Sequence, residues 1–116
     1  MDEKKVLIVE DSEIYQKEWK KRLSGKVKIL SAFTIEKAKK IFSENSDIAL
    51  IVVDSCVPGV KINTQPLVRK FRESFKGPMI AASSGFYNKE KLTSAGCNHR
   101  SDKDGVPGKI REVLSL

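Results

Sequence analysis

The sequence predicts an α/β domain, a parallel sheet with helices on both faces, and three observations carry that prediction. Ile48 to Val53 is an unbroken apolar run rich in β-branched side chains. It is too short and too uniformly apolar for an amphipathic helix, and it fits a strand buried on both faces. The run stops at a carboxylate, Asp54, and two other runs end alike: Val6 to Val9 leads into Glu10-Asp11, and Met79 to Ala82 into Ser83-Ser84. Between such runs lie segments of helical period with short connections, the βαβαβαβαβα order of a parallel sheet.

The elements follow in order. Ser12 is placed to cap a helix reaching about Leu23, with Tyr15, Trp19 and Leu23 as its stripe and Gly25 as its stop. Val27 to Leu30 reads as a second strand, and Lys26 and Lys28 give it the alternation of an exposed edge. Thr34 caps a helix carrying Ile35, Ala38, Ile41 and Phe42, and Asn45-Ser46-Asp47 turns into the central strand. After Asp54, the stretch Ser55 to Gly59 has turn chemistry, and the loop runs through Asn63. Thr64, with Pro66 in the first turn, starts a third helix lined by Leu67, Val68, Phe71 and Phe75. Gly77-Pro78 precedes the strand at 79–82. A weakly patterned helix is predicted over 87–95, with Leu92 and Ala95 inward and Gly96 closing it. Asn98 to Asp102 is polar enough to be an edge strand or barely a strand, and Val106-Pro107 opens a last helix with Ile110, Val113 and Leu114.

At 116 residues, 40% hydrophobic and 32% charged, residues 1–116 are expected to form one domain with its own core and no output domain. No apolar run approaches the roughly 20 residues that span a bilayer. The apolar run after Lys4-Lys5 lasts four residues before Glu10-Asp11, so no secretory leader is expected and a cytoplasmic location follows. Cys56 and Cys97 belong to no CxxC pair or Cys/His cluster, which predicts reduced thiols rather than a disulfide or zinc. The net charge is +7, concentrated in Lys17, Lys20, Lys21, Arg22, Lys26 and Lys28. No nucleic-acid motif accompanies these charges, so a solvated helix face is expected and nucleic acid is not the predicted partner.

In a parallel sheet the strand ends share one edge, where open α/β sheets bind ligands. That edge offers Glu10, Asp11 and Asp54, the hydroxyls of Ser83 and Ser84, and, past the last strand, the Lys103 ammonium. Burying an unpaired charge costs several kcal/mol, so Asp54 should face solvent, a cation or a bound group. Three carboxylates brought together raise the pKa of at least one unless a cation joins them. Hard oxygen donors without a nearby His point to Mg²⁺, and a carboxylate beside such a metal can attack phosphorus to give an acyl phosphate. His99, with no second ligand at metal spacing, is expected to be an ordinary surface histidine.

These motifs resemble a response-regulator receiver domain over nearly the whole chain. V-L-I-V-E-D-S at 6–12 resembles the family's first strand and acidic pair, and V-V-D-S-C-V-P-G at 52–59 its phospho-acceptor strand with proline four residues on. A-A-S at 81–83 resembles its Thr/Ser switch strand, and A-G-C followed by Lys103 the approach to its lysine. The resemblance implies a doubly wound five-stranded parallel sheet of order 2-1-3-4-5, a flavodoxin-like three-layer sandwich. It implies that Asp54 accepts a phosphoryl group from a sensor histidine kinase or phosphotransfer protein, and that a downstream protein partner reads the result. Asp11, Asp54 and the backbone carbonyl of Cys56 would hold Mg²⁺, with Glu10 helping directly or through water, while Ser83 and Lys103 bind the phosphoryl oxygens. Such a protein is not a classical enzyme; it assists its own phosphorylation and dephosphorylation.

The chain departs from the family pattern at three places. Arg100 stands where most receivers have Tyr or Phe, Asp104 where most have Pro, and the loop after Pro58 is about two residues longer and lacks the usual Asp-Gly. A guanidinium is costly to bury, so Arg100 is expected to stay outside, with Asp102, Asp104 or a partner's acid as candidate pairs. The alternative function is a receiver fold kept as a phosphorylation-independent protein- or nucleic-acid-interaction module. Other phosphate chemistries fit worse. A haloacid-dehalogenase-type phosphatase needs an aspartate where Cys56 stands, a cysteine phosphatase needs an arginine where Ile62 or Lys103 stands, and no Gly-rich phosphate loop with lysine occurs.

Overall fold

The computed structural model describes residues 3–58 and 61–116. Gly59 of the acceptor-strand motif and Val60, in the loop expected to be about two residues longer than usual, lie outside the described residues. Five parallel strands, β1 (Lys4–Val9), β2 (Val27–Ala32), β3 (Ile48–Asp54), β4 (Met79–Ala82) and β5 (His99–Ser101), form one sheet in the order β2-β1-β3-β4-β5. Helices α1 (Glu13–Arg22), α2 (Ile35–Glu44), α3 (Gln65–Arg72), α4 (Phe86–Ala95) and α5 (Val106–Leu114) alternate with them.

Strand period two divides the core cleanly. Val6, Ile8, Leu50, Val52, Ile80 and Ala82 pack on one face with Trp19 and Leu23 from the α1 segment and Ile110 and Leu114 from α5. Leu7, Val9, Ile51, Val53, Met79 and Ala81 pack on the other with Ala38, Leu67, Val68, Phe71, Leu92 and Cys97. Because β3 is buried on both faces, every position contributes, and this is why its sequence shows no alternation. No described helix is long and apolar enough to cross a membrane.

Differences from the predicted elements are local. β2 runs two residues further than Leu30, because Ser31 and Ala32 continue the ladder against Ile8 and Val9 despite the polar side chain. β5 is shorter than 98–102, and Asn98 instead turns its side-chain oxygen to the Met79 amide. Helix α3 ends at Arg72, so Phe75 lies beyond it and reaches the core from the following turn, its ring edge-on to Phe42. Thr64 makes no cap bond; its hydroxyl is used elsewhere. Ser12 and Thr34 do cap α1 and α2, accepting from the Tyr15 and Lys37 amides.

Gly96 sits at φ 145°, and an added Cβ would stand 2.7 Å from Arg72 Cγ and 3.3 Å from Val68 Cγ1. Arg72 has little room to yield: its Nε donates to Gly96 O at 2.8 Å and its Nη1 to Phe75 O and Gly77 O at 3.0 and 2.7 Å. Gly108, inside α5, has open space where a Cβ would go. Gly96→Ala is therefore expected to cost about 1–3 kcal/mol through strain, while Gly108→Ala stabilises by about 0.5–1 kcal/mol. Urea midpoints with unchanged slopes should move in opposite directions.

Candidate functional site

The residues singled out from the sequence converge at the carboxyl edge of the sheet. Glu10 follows β1, Asp54 ends β3, Ser83 follows β4, and Lys103 opens a short 3-10 turn after β5. Glu10, Asp54 and Ser83 are buried, while Asp11 and Lys103 are partly exposed. Carboxylate oxygens of Glu10, Asp11 and Asp54 all lie within 4.8 Å of one another.

Lys103 Nζ is 2.9 Å from Glu10 Oε1 in an ion pair and donates to Asp54 Oδ2 at 3.3 Å. Glu10 Oε2 accepts the Ser12 amide at 3.0 Å, so that Oε1 is left to the Lys103 ammonium. Burial pushes the Asp54 carboxyl above the usual carboxylate range, and the Lys103 charge only partly offsets it. Glu10 is raised for the same reason, with the Lys103 and Ser12 hydrogen bonds opposing. Burial works to lower the pKa of Lys103, but its hydrogen bond to Glu10 and the charges of Asp54 and Glu10 outweigh it and raise the value.

The contacts that position these groups were not visible in the sequence. The Trp19 indole N–H donates to the Lys103 carbonyl at 3.1 Å, and the ammonium stands 5.0 Å from the Tyr15 ring centroid. The α1 stripe thus holds the lysine as well as filling the core. Buried Gln16 donates through Nε2 to Ile8 O and Glu10 O at 3.1 Å, fixing the backbone where the acidic pair leaves β1. Thr64, expected to start the third helix, donates its hydroxyl to Asp54 O at 2.7 Å, close also to Ser55 O. Ser55 is fully buried; its Oγ donates to Ser83 Oγ at 3.2 Å and accepts from Asn88 Nδ2 at 3.2 Å. Asn63 closes the loop by pairing with both backbone groups of Val57 at 2.8 Å.

The side chains of the other candidates fall outside the cluster. Ser84 is exposed, and the Cys56 side chain is buried 3.5 Å from Ser55 Oγ. Cys97 packs in the core, where burial pushes its thiol up to about 12. His99 is half-buried on β5, paired with Ile80 in the ladder. Arg100 is exposed and pairs with Glu90 Oε2 of α4 at 2.9 Å, its guanidinium 5.5 Å from the Phe86 ring centroid. Neither predicted intrachain partner holds it: Asp102 is taken by Lys89, and Asp104 is exposed.

The donor set fits a hard divalent cation. Its oxygens are carboxylates, they are close together, and the buried Glu10 Oε1 faces a cation, the Lys103 ammonium, at 2.9 Å. One positive charge on Lys103 faces the negative charges of Glu10, Asp11 and Asp54, leaving room for more positive charge.

Opposite stability effects follow for two substitutions in Mg²⁺-free buffer. A carboxylate with its folded pKa raised loses native-state stability as pH climbs from its ordinary value through the raised one. Asp54→Asn removes that loss, so it should stabilise by roughly 0.5–2 kcal/mol at neutral pH, with the gain vanishing below the ordinary carboxylate range. Lys103→Met strands two buried carboxylates and should destabilise by roughly 3 kcal/mol at neutral pH. Thermal or urea melts of both variants against wild type, at neutral and acidic pH, check the signs.

No protein-family model matches the sequence, and no curated protein gives a significant match. Solved structures do match along the whole chain. A two-component response regulator from Clostridium difficile superposes with a TM-score of 0.82 at 18% identity, covering 97% of this chain and 96% of that one. A response regulator receiver protein from Pseudoalteromonas atlantica gives 0.79 at 13% identity, with 96% and 97% covered. A CheY-like receiver domain protein from Methanospirillum hungatei gives 0.72 at 22% identity, with 98% and 95% covered. At such identities the likeness is one of architecture, and it agrees with the strand order and helix placement described above: the chain has the fold of response-regulator receiver domains.

Proposed function

We propose that this chain is a phospho-acceptor in two-component signalling, taking a phosphoryl group onto Asp54 from a histidine kinase or phosphotransfer protein. The observation that carries this reading is the Lys103 ammonium, 3.3 Å from the Asp54 carboxylate and 2.9 Å from that of Glu10 at the ligand-binding edge of a receiver fold. A carboxylate oxygen of Asp54 forms the new O–P bond and the donor's P–N bond breaks. The electron pair leaves on the imidazole nitrogen, which departs neutral when the ring is protonated at its other nitrogen. The product is an acyl phosphate, and its hydrolysis returns the carboxylate.

Within this reading each neighbour has a task. Lys103 supplies a fixed positive charge to the transferring group, and the Ser83 hydroxyl a hydrogen bond. Asp11, Asp54 and the Cys56 carbonyl would hold Mg²⁺, assisted by Glu10. Bound there, the ion supplies charge neutralisation to the phosphoryl oxygens. Thr64 and Asn63 fix the backbone from Asp54 to Val57, so that the acceptor is presented without reorganisation. The chain then acts as a signalling partner rather than a classical enzyme, promoting only its own phosphorylation and dephosphorylation.

Acetyl phosphate or phosphoramidate with Mg²⁺ should add one hydroxylamine-labile phosphoryl group, seen by intact mass. Asp54→Asn should abolish it, and Lys103→Met should slow it by about 100-fold, the cost of removing one charged donor. Persistence of the adduct in Asp54→Asn would overturn the assignment. A phosphorylation-independent module, the reading favoured by the exposed α1 bases, predicts no adduct at all. Mg²⁺ at a hundredfold excess over its dissociation constant should raise stability by about 2.7 kcal/mol. If Asp11→Asn gains as much as wild type, the ion is bound elsewhere.

A further inference from the structure

Ser83 Oγ has two close polar neighbours, and both donate to it: Ser55 Oγ at 3.2 Å and the Gly85 amide at 3.4 Å. A hydroxyl has one proton and two acceptor positions. Both acceptor positions are therefore filled, and among the described residues nothing takes the Ser83 proton. Ser83 is nearly fully buried, one residue past the Ala82 that pairs with Asp54 across the sheet. Its proton is left for a further acceptor at this edge of the sheet.

The orientation is set from behind. Asn88 Nδ2, from the first turn of α4, donates to Ser55 Oγ, and the Ser55 proton goes to Ser83 Oγ at 3.2 Å, a stronger acceptor than the Cys56 sulfur 3.5 Å away. The bonds run in one direction, from Asn88 to Ser55 to Ser83, and donors in series polarise one another. We propose that Ser55 and Asn88 are positioning residues: they aim the Ser83 proton at the group on Asp54 and tie the first turn of α4 to the state of that group. This rests on reading Asp54 as the phosphoryl acceptor.

The connection reaches α4 without an aromatic residue on β5. Arg100, at the position where most receivers carry that aromatic, is already held by Glu90 and lies against Phe86 on the outside. A phosphoryl oxygen that draws Ser83 Oγ toward Asp54 must stretch or shift the bonds to Ser55 and Asn88. The element that feels this is α4, whose first turn also carries the exposed rings of Phe86 and Tyr87. A bound group moves such an equilibrium only through contacts that differ between the two states, and these bonds are such contacts.

The test compares wild type with Ser55→Ala and Asn88→Ala in three measurements. These are the initial rate of phosphorylation by acetyl phosphate at saturating Mg²⁺, the Mg²⁺ dissociation constant, and the amide shifts over 86–95 on adding beryllofluoride with Mg²⁺. The expected result is a rate reduced about 10-fold or more in each variant, the usual scale for an outer hydrogen-bond partner. The Mg²⁺ constant should be unchanged, and the α4 shifts should fall by half or more. Asn88 is half-buried on a helix, where alanine is the best helix former, so that variant carries the test if Ser55→Ala does not fold. Wild-type rates and undiminished α4 shifts in the variants would overturn the inference and leave Asp54 as acceptor. A loss of rate matched by an equal loss of Mg²⁺ affinity would reduce both residues to structural support and overturn it too. Failure of wild type itself to take the phosphoryl group would remove the acceptor reading, and this inference with it.

Discussion

A single ammonium shared between two buried carboxylates governs the architecture of this edge. Glu10 and Asp54 each lose water on folding, and an isolated buried carboxylate costs several kcal/mol. Lys103 offsets much of that cost from a turn whose own position is fixed by α1, through the Trp19 indole and the Tyr15 ring. The site therefore draws on three strand ends, one helix and the turn after the shortest strand, elements distant in sequence. Shifting β1 against β3 by one residue would separate Glu10 from Asp54, because the register Val9↔Val53 is what brings the two residues that follow side by side. The electrostatics of the edge thus depend on the apolar packing of the sheet beneath it.

Much of the fold could be read from the sequence because its strands announce themselves. A run buried on both faces leaves no alternation, and each run ended at an oxygen-bearing side chain, so Glu10, Asp54 and Ser83 were legible as one edge. The unpredicted contacts share a physical character: they are side-chain bonds to backbone groups or hydroxyls brought close only by folding. Trp19 reaches a carbonyl 84 residues away, and its stripe position is equally well explained by packing. Thr64 stood at a helix start, where a hydroxyl normally caps, yet its proton goes to the end of β3. Asn88 lay in a helix whose apolar pattern is weak, and nothing local connects it with Ser55. Ser31 read as a boundary because it is polar, although an edge strand tolerates a half-exposed serine.

On the far side of β4 the seam between α4 and β5 consists of the ion pairs Lys89–Asp102 and Glu90–Arg100. Each is largely exposed on its acidic side, and such pairs contribute about 0–1 kcal/mol. Their consequence is geometric rather than energetic. Arg100 has its partner outside the sheet, so an excursion inward would lose both hydration and Glu90. The polar ties from Ser83 through Ser55 to Asn88 run along the inner side of α4, which is why the proposed coupling is placed there and not on the β5 surface.

The proposed chemistry at Asp54 requires the acidic edge to take up a divalent cation next to Lys103. Trp19 is the chain's one tryptophan, and its indole N–H is bonded to the Lys103 carbonyl, so its ¹H–¹⁵N resonance reports on that turn. Titration with Mg²⁺ should move this resonance saturably in wild type, as the ammonium yields part of its hold on Asp54, and should leave it in place in Asp11→Asn. A wild-type indole resonance that does not respond to Mg²⁺, or one that responds equally in Asp11→Asn, would contradict the account.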